Sequence, residues 1–152
     1  VWDTVTTNLG GRWTRAAVEA DVRVVTDRLS RRQMVALMGE ADVYVSASRG
    51  EGLDLPSYSA KLAGRTLVTT DSGGPRDFLG EGDVLVPAKG EYPMEEYAWL
   101  WDPGAKVIDY DLGDLVTAMV KARGSRPRRT DMSKFSAKSV AGVFREWFGR
   151  FK

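Results

Sequence analysis

The stretch from Ala41 to Gly74, ADVYVSASRGEGLDLPSYSAKLAGRTLVTTDSGG, constrains the fold more than any other part of the chain. Val43 to Ser46 is a short β-branched and aromatic run, the pattern of a strand buried on both faces. A loop follows from Ala47 to Asp54, with Gly50 and Gly52 flanking Glu51. Pro56 stands where a first helical residue would and Gly64 where the residue after a helix would, so Pro56 to Ala63 reads as a short helix. Leu67 to Thr70 is a second strand, and Ser72-Gly73-Gly74-Pro75 breaks the chain again. Strand, glycine loop, helix, strand is one parallel βαβ unit. It places the chain in the α/β class, a parallel sheet with helices on both faces.

On such sheets ligands bind at the carboxyl ends of the strands. A loop that leaves a strand and opens a helix offers backbone N–H groups and the positive end of a helix dipole, a seat for phosphate. Here that seat falls at Gly52 to Leu55, with Leu53 and Asp54 between them. Glu51 beside it is a poor partner for phosphate alone, because like charges repel. A carboxylate that accepts hydrogen bonds from hydroxyls suits a sugar attached to a diphosphate.

The run Ser48-Arg49-Gly50-Glu51-Gly52-Leu53-Asp54-Leu55-Pro56, continued by Ala60-Lys61-Leu62-Ala63-Gly64-Arg65-Thr66-Leu67-Val68 and Asp71-Ser72-Gly73-Gly74, resembles the donor-binding half of GT-B fold glycosyltransferases. It is most similar to the retaining group whose signature is a pair of glutamates separated by seven residues. The resemblance runs from about Val22 to the C-terminus and is most specific between Glu51 and Gly74. It implies a Rossmann-like sheet forming one half of a GT-B enzyme, a UDP-, GDP- or ADP-linked sugar as substrate, and no cofactor. Glu51 stands at the first glutamate of the signature, so the resemblance makes it the catalytic carboxylate. Gly52, Leu53, Asp54, Leu55, Gly73 and Gly74 match donor-contacting positions, and Arg28 lies in the Thr26 to Leu29 turn that would face the nucleotide base. A solvated turn is the competing reading of that last segment.

Two positions depart from the pattern. Ser59 falls where the second glutamate, a ribose ligand, would stand. A neutral hydrogen bond is worth about 1 kcal/mol against about 1.5–3 kcal/mol for a charged one, so donor binding is expected to weaken something like tenfold. Asp54 replaces a usual glycine and adds negative charge near the phosphate seat. The resemblance also leads one to expect an earlier strand and helix, carrying basic residues for the diphosphate, and an N-terminal acceptor-binding domain, neither of which is recognisable in this chain.

Composition narrows the chemistry. With 22 basic and 21 acidic residues the net charge is +1, so bulk electrostatics points to neither nucleic acid nor an anionic membrane. No apolar run reaches the length of a membrane-spanning helix. The absence of cysteine excludes disulfides, and the absence of histidine removes the commonest general base and metal ligand. Acid–base work falls to Asp, Glu, Tyr or Lys, no metal site is expected, and the expected location is cytoplasmic, with a membrane-peripheral one as the alternative.

The rest of the chain, read as a single domain over residues 1–152, supports the central unit. Val1 to Thr7 and Val22 to Val25 have strand composition, Thr14 to Ala20 has weak helical character, and Ser30 with Gln33 forms a capping box ahead of Met34, Leu37, Met38 and Ala41. Gly74 to Leu79 reads as a helical turn and Asp83 to Pro87 as a strand. Lys89 to Gly104, with Tyr92, Tyr97, Trp99 and Trp101, reads as a long loop packing over the sheet rather than a sugar platform. Asp111 opens a helix with a core stripe through Leu112, Leu115, Val116, Met119 and Val120. Lys121, Arg123, Arg126, Arg128 and Arg129 form a basic run best read as a solvated loop. Ser136 caps a last helix whose stripe of Val140, Val143, Phe144, Trp147, Phe148 and Phe151 needs a partner and would favour self-association.

The expected activity is transfer of a sugar from a nucleotide donor to an acceptor hydroxyl, with retention, by a longer enzyme of which this chain binds the donor; the fragment alone is expected to be inactive. A non-catalytic nucleotide-sugar-binding or interaction domain is the alternative. A sugar-nucleotide epimerase half shares the architecture but is disfavoured by the lack of histidine.

Overall fold

Alternation of buried side chains above and below three short parallel strands organises the molecule. The computed structural model describes residues 16, 21–94, 102, 104–125 and 130–151. The chain divides into two compact units, Val1–Ser30 and Arg31–Lys152. In the second, helix α1 (Arg31–Glu40) leads to strand β1 (Val43–Ser46), helix α2 (Leu55–Leu62) and strand β2 (Thr66–Thr70). A 3₁₀ turn (Gly74–Asp77), strand β3 (Val84–Val86), an antiparallel pair β4 (Gly90–Pro93) and β5 (Lys106–Asp109), helix α3 (Leu112–Ala122), a second 3₁₀ turn (Ser133–Phe135) and helix α4 (Ala137–Gly149) complete it.

Strands β1, β2 and β3 form one parallel sheet in that order, with Val45 opposite Val68 and Val68 opposite Val84. Period-two geometry sends neighbouring side chains to opposite faces. Val43, Val45, Val68, Val84 and Val86 pack with Leu115, Ala118 and Ala122 of α3, whereas Tyr44 and Leu67 pack with Tyr58 and Ala60 of α2 and with Phe78 and Phe135. The rings of Tyr58, Phe78 and Phe135 meet edge to face at 5.7–6.1 Å between centroids. Helices therefore cover both faces, as the α/β reading requires.

The amino end of the sheet is tied by a buried ion pair. Lys61 Nζ donates to Asp83 Oδ2 at 2.5 Å, with 1% and 2% of the two side chains exposed. Asp83 also accepts from the Leu67 N–H at 2.8 Å and the Gly80 N–H at 2.7 Å, so β2, β3 and the end of α2 meet on one carboxylate.

The sequence expectations hold for β1, α2, β2, β3, α3 and α4 to within a residue or two, with Asp111 and Ser136 capping α3 and α4 through bonds to Gly113 N and Ser139 N. Two expectations need correction. Val22–Val25 is not a strand: residues 22–26 carry no regular structure and find no ladder partner among the described residues. β-branched side chains favour extended backbone, but a strand exists only where its N–H and C=O groups meet a neighbour. The long loop Lys89–Gly104 instead contributes β4, paired antiparallel with β5, Tyr92 opposite Val107. The α4 stripe forms as expected, and Val143, Phe144, Trp147, Phe148 and Phe151 are each at least half exposed. Val1–Thr7, most of Thr14–Ala20, Tyr97, Trp99, Trp101, Arg126, Arg128 and Arg129 lie outside the described residues. No helix among the described residues is long and apolar enough to cross a membrane.

Candidate functional site

The loop after β1 is held by three consecutive carbonyls. Tyr110 Oη donates to Ala47 O at 2.8 Å, Thr70 Oγ1 to Ser48 O at 2.6 Å, and the Ile108 N–H to Arg49 O at 2.9 Å. The Arg49 guanidinium reaches Asp109 at 2.8 Å and lies over the rings of Tyr92 and Tyr110, 5.4 and 4.9 Å from their centroids. That contact holds the Asp109 carboxyl below its ordinary value, the Arg49 hydrogen bond being the main cause. The small β4–β5 sheet is thus a clamp on the loop that carries Glu51.

Glu51 projects from the clamped segment, exposed, and its Oε1 accepts from Ser48 Oγ at 2.9 Å. The loop after β2 closes against it. The Gly74 N–H donates to Gly52 O at 2.7 Å. A Cβ at Gly73 would fall 2.0 Å from Glu51 O, and one at Gly74 would fall 2.0 Å from Gly52 O. Only glycine allows this approach, and Gly73 also has φ +68°. The loops leaving two neighbouring parallel strands therefore meet, and the structure brings Glu51, Gly52, Gly73 and Gly74 together.

Asp54 turns the other way. It is buried, and it caps α2 by accepting from the Ser57 N–H at 3.1 Å, while Ser57 Oγ and Ser46 Oγ donate to its second oxygen at 2.5 and 2.7 Å. Leu53 and Leu55 on either side are exposed. Tyr44 lies beneath: burial, reinforced by the charges of Asp54 and Glu51, pushes its phenol above the ordinary value. After β2, Arg76 pairs with Asp71 at 2.5 Å and its hydrogen bond holds that carboxyl below its ordinary value.

Ser59 sits one turn into α2, its Oγ donating to Leu55 O at 2.8 Å. It opens onto a groove between α1 and α2, about 370 Å³ where Arg31, Met34, Val35 and Met38 face Ser59, Leu62 and Ala63. The groove continues for about 460 Å³ past Tyr44, Leu55 and Pro56. Arg28 is exposed on the irregular stretch of the Val1–Ser30 unit.

Sequence reasoning missed Arg49, Asp109 and Tyr110 as supports of the Glu51 loop. The signal available was Val107-Ile108 followed by Tyr110, β-branched and aromatic residues that favour a strand. It also passed over the Lys61–Asp83 pair, for which the one hint is a lysine on the same inward stripe of α2 as Ser57 and Ala60.

A parallel sheet covered on both faces, with paired glycine loops and a carboxylate at its carboxyl edge, is a Rossmann-like half of the GT-B architecture. The family model described as "Glycosyl transferases group 1" matches residues 7–97, more than half of the chain, and the chain belongs to that family. The matched span holds β1, β2, β3, α2 and both glycine loops. Membership brings glycosyl transfer as the general activity. Among curated proteins of known function no match is found.

Proposed function

We propose that the Arg31–Lys152 unit binds the nucleotide-sugar donor and that the sugar passes to an acceptor hydroxyl with retention. The observation that carries this reading is the exposed Glu51 between glycines, held against the Gly73–Gly74 backbone at the carboxyl ends of β1 and β2. Glu51 takes the central role: its carboxylate accepts hydrogen bonds from the donor sugar and offsets the positive charge that develops on the sugar ring as the diphosphate departs. The backbones of Gly52, Leu53, Leu55, Gly73 and Gly74 face the donor, and the three glycines put no side chain in its way. Ser59 is assigned to the ribose, and because its proton goes to Leu55 O it serves there as a neutral acceptor. The scheme calls for no metal or cofactor; a UDP-, GDP- or ADP-linked sugar is the substrate, and a separate acceptor-binding domain presents the hydroxyl.

Calorimetric titration with UDP-, GDP- and ADP-sugars tests this. One of them is expected to bind at millimolar concentration or tighter, and Glu51→Ala to weaken it about tenfold or more, the scale of a hydrogen bond to a charged group. Absence of binding to all three by the wild-type chain overturns the proposal and favours a non-catalytic interaction domain. Ser59→Glu is expected to tighten the same donor about tenfold; unchanged affinity would show that Ser59 does not face the ribose.

A further inference from the structure

The net charge of +1 conceals a division along the chain. Residues 121–152 carry ten basic and two acidic side chains, a net of +8, whereas residues 1–120 carry twelve and nineteen, a net of −7. The basic part contains α4, which contributes no residue to either buried cluster of the described residues. Its stripe of Val140, Val143, Phe144, Trp147, Phe148 and Phe151 is 41–71% exposed. Trp147 meets the Phe148 and Phe151 rings at 4.9 Å between centroids, and Phe144 meets Phe148 at 6.3 Å, so the stripe presents one continuous aromatic surface. Helical periodicity sets Lys138 and Arg145 along one flank of that stripe and Arg150 along the other. All three are exposed. Arg150 also reaches Glu146, the one acidic side chain of the helix, at 3.0 Å.

We propose that α4 is a surface anchor for anionic lipid bilayers, with its aromatic stripe at the acyl boundary and its basic flanks on the lipid phosphates. A helix of 13 residues is about 20 Å long, short of a hydrocarbon core of about 30 Å, so it lies along the membrane and does not cross it. Aromatic and aliphatic side chains on one face with Lys and Arg beside them are the composition of interfacial helices. Charge complementarity selects the occupant. A second copy of α4 would bring three cations against one carboxylate at each stripe, a repulsive match. Single-stranded nucleic acid is held by cations and aromatic platforms lining one groove, whereas here they occupy separate strips of the helix. An anionic bilayer offers an apolar layer under a sheet of negative charge, and the net +8 of residues 121–152 draws this end of the chain toward it. No residue of α4 belongs to the Glu51 site, so the proposal stands apart from the donor reading.

The experiment is co-sedimentation of the full chain with vesicles of phosphatidylcholine alone and of phosphatidylcholine with about 30% phosphatidylglycerol, at about 0.1 M salt. At about fivefold for each basic side chain near the surface, the three flanking cations are expected to make binding to the anionic vesicles about a hundredfold tighter than to the neutral ones. Most of that preference should disappear at about 1 M salt, where the Debye length shrinks to about 3 Å. Lys138→Gln with Arg145→Gln removes two cations and is expected to weaken anionic binding about 25-fold. Trp147→Ala with Phe148→Ala is expected to weaken binding about tenfold or more on both kinds of vesicle. The glutamine pair leaves the stripe intact, so it carries the test if the alanine pair fails to fold by circular dichroism. Wild-type chain that stays in the supernatant with anionic vesicles overturns the proposal, as does binding equal on both kinds of vesicle. A lipid-free dimer that the alanine pair dissociates and that anionic vesicles leave intact makes a second copy the occupant and also overturns it. Tighter binding to an oligonucleotide than to the anionic vesicles does the same.

Discussion

At the amino ends of the strands Asp83 spends its carboxylate completely, on the Lys61 ammonium and on two backbone N–H groups, behind side chains that admit almost no solvent. At the carboxyl ends Glu51 sits in the open with a hydrogen bond from Ser48 to one of its oxygens. Both are acidic groups at the edges of the same parallel sheet. What separates them is how much of each carboxylate the fold has already used. A carboxylate surrounded by donors from three elements holds the fold together, whereas one aimed outward from a clamped loop is available to a ligand. Asp54 shows that position alone does not decide: it lies three residues from Glu51 yet is buried and engaged like Asp83.

The sharpest way to break the comparison is at the buried end. Asp83→Ala leaves an ammonium and two amides without their acceptor, and unfolding free energy from chemical denaturation is expected to fall by about 3–5 kcal/mol. Lys61→Met should cost clearly less, because Asp83 keeps both backbone donors; equal losses would mean that the ion pair, rather than the shared carboxylate, ties the strands. A smaller effect is expected at the clamp. Arg49 lowers the Asp109 pKa, so the stabilisation it brings is fully present above the ordinary aspartate value of about 3.9 and is lost as pH falls through the lower folded value. The difference in melting temperature between wild type and Arg49→Ala should therefore be flat near neutrality and shrink in acid below that range. A difference that grows in acid would contradict the pairing. The smallest change in stability is expected for Glu51→Ala, within about 0.5 kcal/mol, although this is the variant expected to lose donor affinity. If it proved as damaging to folding as Asp83→Ala, the distinction between a structural and an available carboxylate would collapse.

Much of the sheet and part of the site could be read before any coordinates. Short β-branched runs separated by Gly and Pro marked β1, β2 and β3, and the proline and glycine around α2 marked its ends to within two residues. Those signals are local and survive whatever the rest of the chain does. Val22–Val25 looked the same and forms no strand, and Gly90–Pro93 looked like loop and does. In both cases the deciding fact is a partner strand, and pairing is set by the whole fold. The meeting of Glu51 with Gly73 and Gly74 followed from strand order, since loops from the same ends of adjacent parallel strands must be neighbours. The clamp on Arg49 spans 60 residues and the Lys61–Asp83 pair spans 22, and no local pattern records either.

The sequence by itself determined the βαβ order, the helix caps at Asp111 and Ser136, and the edge of the sheet at which Glu51 would lie, because periodicity and turn chemistry act over a few residues. Tertiary structure alone decided that Asp54 adopts a left-handed backbone and turns inward while Glu51 stays in solvent. Two acidic residues three apart carry the same charge and sit in the same loop. Only the positions of Ser46, Ser57 and the Gly73–Gly74 backbone around them determine which carboxylate is consumed by the fold and which is left for a ligand.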